Sequence, residues 1–382
     1  MIEPFAARPS PKIVFGPGVL RELPNCVREL NASGVFLVTD RGIAAAGHVD
    51  TARQLLESAG IAVRIFDRTK ENPTETDAAA CCEFARLARF DCIVALGGGS
   101  SMDTAKACNF LLTNGGAMRD YHGYGKASQP MLPLIAIPTT SGTGSECQSY
   151  ALVSRDDSHE KMACGDPKAR ACIAILDPEL TRTQPKSVAI LTGMDALAHA
   201  LESAVCTKRN AISSIYSEHA FRHLAGAIGR VIAGTATEDD RGHMQLGAAL
   251  SGLAIENSML GAAHASANPL TARCNTVHGH AVALMLPHVM QINAADPEIA
   301  QIYQHFSEML KKLRVTKLPL VEWVSQLVER SQLPPLNVTS VNLTELAQDA
   351  IKQWTGQFNP TALQVEDYVA LYRRALRIDA AA

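Results

Sequence analysis

Two kinds of hydrophobic pattern alternate through the first half of the chain. "GVFLVTD" (34–40), "IAVRIFD" (61–67), "DCIVALGGGS" (91–100) and "PLIAIPTTSGTGSE" (133–146) each begin as a short apolar run and end in Gly, Asp or hydroxyl residues, as buried strands do. Between them, "VDTARQLLESAG" (49–60) and "EFARLARF" (83–90) carry apolar residues at helical spacing. Strands alternating with helices predict a parallel sheet covered on both faces. In such sheets ligands sit beyond the carboxyl ends of the strands, where several of these loops fall.

From about residue 186 the pattern becomes helical throughout. "PKSVAILTGMDALAHALESAV", "EHAFRHLAGAIGRVIAG", "GHMQLGAALSGLAIENSML", "IAQIYQHFSEMLKKL" and "VEDYVALYRRAL" all read as helices. "LRVTKLPLVEWVSQLVERSQLPPLN" (313–337) places Pro before and after another. A chain of 382 residues is long for one core. The expected division is therefore an α/β domain over 1–185 and an all-helical domain over 186–382.

Composition narrows the partners. Thirty-five basic against 38 acidic residues leave a net charge of −3, so there is no basic field for nucleic acid. No uninterrupted apolar run has the length of a membrane span, and "MIEPFAARPSPKIVFGPG" lacks the layout of a secretory signal. Ten scattered cysteines without a CxxC pair suit a reducing compartment, so a cytoplasmic location is expected.

Candidate chemistry lies in three places. "ALGGGSSMDTAKA" (95–107) follows a strand and opens a helix. Its glycines permit a tight turn, Ser100 is expected to cap the helix, and the helix N-terminus favours an anion such as pyrophosphate. Thr139, Thr140, Ser141 and Thr143 can offer hydroxyls to the same ligand, and Asp40 ends a strand where a carboxylate can meet a ribose diol or merely cap a turn. The third place is "LTGMDALAHALE" (191–202), where Asp195 and His199 are four residues apart and share a helix face. That pair can be a buried hydrogen bond, a base with its orienting acid, or half of a metal site. "LGAAHASANPLTARCNTVHGHAVALMLPH" (260–288) offers His264, His278, His280 and His288, two of which could complete a set of one carboxylate and three imidazoles. Such a set suits Fe(II) or Zn(II).

Taken together, "KIVFGPGVLRELP", "NPTETD", "GGGSSMDTAK", "IPTTSGTGSE", "DPELT", "GMDALAHALE", "GAAH" and "NTVHG" resemble the iron-containing (group III) alcohol dehydrogenases, the family of lactaldehyde reductase and 1,3-propanediol dehydrogenase. The resemblance spans nearly the whole chain. It implies a dehydroquinate synthase-like fold, with a dinucleotide-binding α/β domain and a helical metal domain. It implies Asp195, His199, His264 and His278 as ligands of Fe2+, with Zn2+ as the other candidate. For NAD it points to Asp40, Asn72, Gly97, Gly98, Gly99, Ser100, Asp103, Thr139, Thr140, Thr143 and Lys161. The implied activity is hydride transfer between NAD(H) and a small primary alcohol or aldehyde, in a homo-oligomer, a dimer in the first instance. The alternatives are a zinc polyol dehydrogenase of the glycerol type and a lyase on the same scaffold that uses NAD transiently. Three departures stand out: Ser101 where many relatives have Pro, Ile255 where many have Phe, and Asn268 where many have a proton-carrying His. With Asn268 unable to take up a proton, His280 becomes a candidate for the proton path.

Overall fold

The computed structural model describes residues 4–158, 160–336 and 341–378. It divides into two compact units: Pro9–Gln184, and the chain from Pro185 onward together with the segment ending at Arg8.

The first unit holds nine strands among the described residues: β1 Lys12–Phe15, β2 Gly34–Val38, β3 Ala62–Phe66, β4 Cys92–Gly97, β5 Gly123–Tyr124, β6 Leu134–Pro138, β7 Tyr150–Ser154, β8 Lys161–Gly165 and β9 Ile173–Leu176. Six form one sheet in the order β1-β9-β6-β4-β2-β3, every pair parallel. The four central strands are buried along their whole length, because helices cover both faces of a parallel sheet. Each fully buried Leu, Ile or Val there contributes roughly 1.5–3 kcal/mol. The order reverses between β2 and β4, so the carboxyl ends of these two strands, at Asp40 and Gly97, flank the switch point where open sheets take ligands. Strands β5, β8 and β7 make a second, three-stranded sheet.

Two sequence expectations need adjustment. The helix expected to end over 83–90 spans Glu75–Ala85 and stops earlier; Leu87 is 77% exposed, so its spacing marks no buried face. The short edge strand β1 and the second sheet were not anticipated, since strands of two to five partly exposed residues carry little pattern.

The second unit is helical among its described residues, with long helices at Lys186–Val205, Ala211–Ala233, Glu238–Glu256, Ala262–Cys274, His278–Asn293 and Pro297–Lys312, followed by shorter ones at Leu320–Arg330, Leu343–Lys352 and Val365–Ala375. Lys186–Val205 is long and apolar enough to cross a membrane by length and composition, but most of it is buried inside this unit as a core helix. A side chain on Gly279 would put its Cβ 2.4 Å from the Leu191 carbonyl oxygen. Only glycine lets the start of the 278–293 helix press against the 186–205 helix one turn ahead of Asp195.

One strained feature of the first unit yields a test. Lys106 is fully buried, and its ammonium donates to the carbonyls of Ser145, Gln148 and Tyr150 and to the Ser145 hydroxyl at 2.7–2.9 Å. Glu146, beside these acceptors in sequence, is also buried; burial pushes its carboxyl from the ordinary 4.5 up to about 7, with Lys106 pulling the other way. Below its ordinary value the acid is neutral in folded and unfolded chains alike. As pH rises through that value the unfolded chain loses the proton first, so the folded state loses stability, by roughly 3 kcal/mol once pH exceeds 7. Glu146→Gln is therefore expected to raise the urea midpoint clearly at pH 8 and hardly at pH 4.5; an equal rise at both pH values would contradict this.

Candidate active site

The helix Lys186–Val205 carries Asp195, His199 and Glu202 at spacings of four and three residues, hence on one face. All three are buried. His264 lies in the first turn of helix Ala262–Cys274, and His278 opens helix His278–Asn293. Three imidazole nitrogens converge on one oxygen. From Asp195 Oδ1, His199 Nε2 is 3.5 Å away, His264 Nε2 3.4 Å and His278 Nε2 3.9 Å. The rings of His199 and His264 stack at 4.8 Å, and those of His264 and His278 stand 5.5 Å apart.

These separations are too long for hydrogen bonds, and both Asp195 Oδ1 and His264 Nε2 are buried without a hydrogen-bond partner. Such orphaned atoms call for an explanation. A cation held tetrahedrally at about 2.1 Å needs ligand atoms about 3.4 Å apart. One ligand atom each from Asp195, His199 and His264 all lie within 4.8 Å of one another, so the donor set fits a divalent ion. Burial works against the charge of Asp195, but His199, His264 and His278 more than reverse this and hold its carboxyl well below the usual carboxylate range. For His264, burial works against the charged ring, yet Glu202 and Asp195 bring its pKa up to about 9.

Glu202 was not among the residues expected from the sequence. Its Oε2 accepts a short hydrogen bond from His264 Nδ1–H, and its Oε1 accepts from the Ala263 N–H at 2.7 Å. This holds the ring with Nε2 on the Asp195 side, where a metal would replace the Nε2 proton, and Glu202 is the outer carboxylate typical of histidine metal ligands. The signal was present: Glu202 continues the Asp195/His199 face by one more turn. Its surroundings are polar and buried, with Asn359 accepting from the Ala262 N–H and exchanging hydrogen bonds with Asn293.

Asn268 lies one turn beyond His264, and its amide donates to Gln353 Oε1 at 2.9 Å. His280 is buried, its Nε2 has no hydrogen-bond partner, and burial pushes its pKa down.

In the first unit the glycine turn and the threonine loop meet. Gly97 has φ +153°, and a Cβ there would lie 2.4 Å from Ser101 Oγ and 3.5 Å from Asp40 Oδ2. Cβ atoms on Gly98 and Gly99 would stand 3.5 Å and 2.7 Å from Cγ2 of Thr140 and Thr143. The helix Gly99–Asn114 is N-capped by Gly98 rather than by Ser100, and no side chain caps it. That leaves the helix N-terminus with the character of an anion site. Asp40 accepts from the Ile43 N–H at 3.0 Å through Oδ1, while Oδ2 lies 3.5 Å from Ser101 Oγ. Asn72 adopts a left-handed backbone at φ 50°. Thr139 is buried and its hydroxyl has no hydrogen-bond partner. Asp103 is buried behind the turn, accepting from the Ser145 hydroxyl at 3.3 Å; burial brings its carboxyl up to about 6, against Lys106 and Lys161.

A parallel sheet with a glycine-lined switch point, and a cluster of one carboxylate and three imidazoles of which His278 alone is partly exposed, define the class of metal-assisted dehydrogenases. The chain belongs to the iron-containing alcohol dehydrogenase family: the family model "Iron-containing alcohol dehydrogenase" matches residues 10–178, and its C-terminal counterpart matches 189–376. Alcohol dehydrogenase 4 of Schizosaccharomyces pombe is 32% identical over 367 residues, 95% of this chain and 87% of the relative. A solved 1,3-propanediol oxidoreductase superposes with a TM-score of 0.91 at 27% identity, covering 98% of this chain and all of that one. Sulfoacetaldehyde reductase from Bifidobacterium kashiwanohense, solved with NAD+, has a TM-score of 0.85 at 26% identity, covering 99% and 100%. The chain is thus an oxidoreductase of the alcohol dehydrogenase class with a dehydroquinate synthase-like fold, and these matches favour neither the polyol dehydrogenase nor the lyase alternative.

Glu202→Gln keeps the shape of the side chain but removes the charge that orients His264. Affinity for the divalent metal, measured by competition with a chelator, is expected to fall about 10–100-fold with the melting curve little changed. Unaltered affinity would show that Glu202 does not support the cluster.

Proposed function

We propose that this protein is an NAD(H)-dependent alcohol dehydrogenase and aldehyde reductase for small primary alcohols and aldehydes, with Fe2+ held by Asp195, His199, His264 and His278. The observation that carries this reading is the convergence of three imidazole nitrogens on Asp195 Oδ1 at 3.4–3.9 Å. Zn2+ fits the same donors and is the competing ion. When bound, the metal supplies Lewis acidity at the C–O group and the nicotinamide gives or takes the hydride.

The residues of the chain do the positioning. Asp195 brings one negative charge to the cluster and lowers its net charge. Glu202 holds the His264 ring with Nε2 on the Asp195 side. In the first unit, Gly97, Gly98 and Gly99 keep the turn free of side chains so that backbone N–H groups of the helix start can face a pyrophosphate. Ser100, Thr139, Thr140 and Thr143 contribute hydroxyls around that turn, and Asn72, Asp103 and Lys161 complete the assigned nucleotide set. Asp40 Oδ2 is assigned to the ribose diol. Asn268 orients water or the substrate hydroxyl and leaves proton uptake to another group, for which His280 is the candidate. The reading also includes a cytoplasmic homo-oligomer.

Metal removal is the direct test. Chelation, or His264→Ala, is expected to lower aldehyde-dependent NADH oxidation by at least two orders of magnitude, with restoration by Fe2+ in the chelated wild type only. Full turnover in metal-free protein would refute the assignment. A second expectation concerns cofactor choice: a 2′-phosphate at Asp40 meets like charge, so NADH is preferred over NADPH and Asp40→Gly narrows the preference about tenfold or more. Equal kcat/KM for both cofactors in the wild type would remove Asp40 from the ribose.

A further inference from the structure

Asn268 is the one residue of the run 261–270 that is not buried, and it stands one turn along the helix Ala262–Cys274 from His264. Its polarity is set from outside that helix. Gln353 closes the helix Leu343–Lys352, and its backbone N–H turns to the Ala350 carbonyl at 3.0 Å. The Asp349 carbonyl, four residues before Gln353, thereby loses the partner that a continued helix would give it. The Gln353 side chain takes that place, with Nε2 3.5 Å from the Asp349 oxygen. At that length the bond is weak, yet it decides which way the amide faces: a carbonyl can only accept, so nitrogen rather than oxygen meets it. Oε1 is then turned toward Asn268, whose Nδ2 donates to it at 2.9 Å. Two amide oxygens have no proton to share, so Asn268 must meet Gln353 through its NH2 group. Its Oδ1 is left over. No described group donates to that oxygen, and the residue is partly open to solvent.

On the reading above, in which Asn268 orients water or the substrate hydroxyl, we propose that Gln353 is a positioning residue that locks Asn268 as a hydrogen-bond acceptor, so that Oδ1 favours a ligand carrying an O–H over one that carries none. An alcohol donates its O–H to Oδ1. The corresponding aldehyde has no hydrogen on oxygen and gains nothing from that atom. An Asn free to rotate would serve both ligands, because it could turn its NH2 group toward a carbonyl. The lock therefore separates the two directions of one reaction: the alcohol is held by a bond that the aldehyde does not make. Asn268 takes up no proton in this role, and only hydrogen bonds are exchanged.

The test uses the Fe2+-loaded protein and measures KM for a small primary alcohol with NAD+ and for its aldehyde with NADH. In Gln353→Met the alcohol KM is expected to rise about fivefold, with the aldehyde KM within about twofold of wild type, as the loss of one neutral hydrogen bond implies. Metal content and melting temperature are expected to match the wild type. Gln353→Glu still accepts from the Asn268 amide and is expected to keep most of the alcohol affinity. In Asn268→Ala, adding Gln353→Met is expected to change neither KM further, because the two residues act as a unit. Equal rises for alcohol and aldehyde, or a Gln353→Met effect that persists in Asn268→Ala, would mark a merely structural role and overturn the proposal. An active wild type whose alcohol KM is the same in Gln353→Met would overturn it as well, and would leave the alcohol dehydrogenase reading standing. A wild type that turns over neither substrate would overturn that reading itself, and the lock with it.

Discussion

A fully buried carboxylate needs compensation, and Asp195 receives it on one oxygen from three imidazoles. That requirement organises the helical unit. Asp195 and His199 are fixed relative to each other by a single helix turn, but His264 and His278 must be delivered by two other helices. Delivery needs close backbone approach, which small residues make available. The 186–205 helix has Ala196, Ala198, Ala200 and Ala204 around its buried acid, Gly279 clears the Leu191 carbonyl, and a Cβ on Gly261 would stand 2.9 Å from Asn359 Oδ1 and 3.0 Å from Glu202 Oε1. Packing and chemistry meet at these two glycines: a side chain at 279 would strike the Leu191 carbonyl, and one at 261 would press on Glu202, the carboxylate that holds His264.

The outer carboxylate extends the argument. Glu202 is as buried as Asp195, so the unit encloses two acids within two turns of one helix. Such a pair is tolerable because each is used. Asp195 faces inward to the imidazoles, while Glu202 accepts from His264 Nδ1–H and from the Ala263 N–H at the start of the 262–274 helix. A divalent ion bound by Asp195 and three neutral rings leaves the site with one net positive charge, which Glu202 offsets through His264.

How much of this was legible before the structure depended on range. Asp195 and His199 stood out because helical spacing is local. The buried strands β2, β4 and β6 stood out because central parallel strands are continuous apolar runs. His264 and His278 could be assigned only through a family resemblance, since no local rule joins residues on three separate helices. The role of Glu202 was not legible in the sequence, because its partner, His264, comes from a separate helix. The edge strand β1, with two exposed ends, had no pattern to read. Ser100 was expected to cap its helix as serines do, yet the chain turns one step earlier and Gly98 takes that position.

The glycine turn shows how two readings of one residue can both hold. Asp40 can be a helix cap or a ribose ligand, and a carboxylate has two oxygens. Oδ1 accepts the Ile43 N–H and fixes the rotamer, which leaves Oδ2 directed toward the Gly97 side of the switch point. The departure at residue 101 acts on that second oxygen. Pro there would have no N–H and no hydroxyl, whereas the Ser101 N–H donates to the Gly98 carbonyl at 3.1 Å and its Oγ stands 3.5 Å from Asp40 Oδ2. At that length the contact is weak, so it steadies the carboxylate without occupying it. The same hydroxyl is what a Cβ at Gly97 would strike at 2.4 Å. Serine at 101 thus makes the demand for glycine at 97 stricter, and ties the rotamer of Asp40 to the start of the helix Gly99–Asn114.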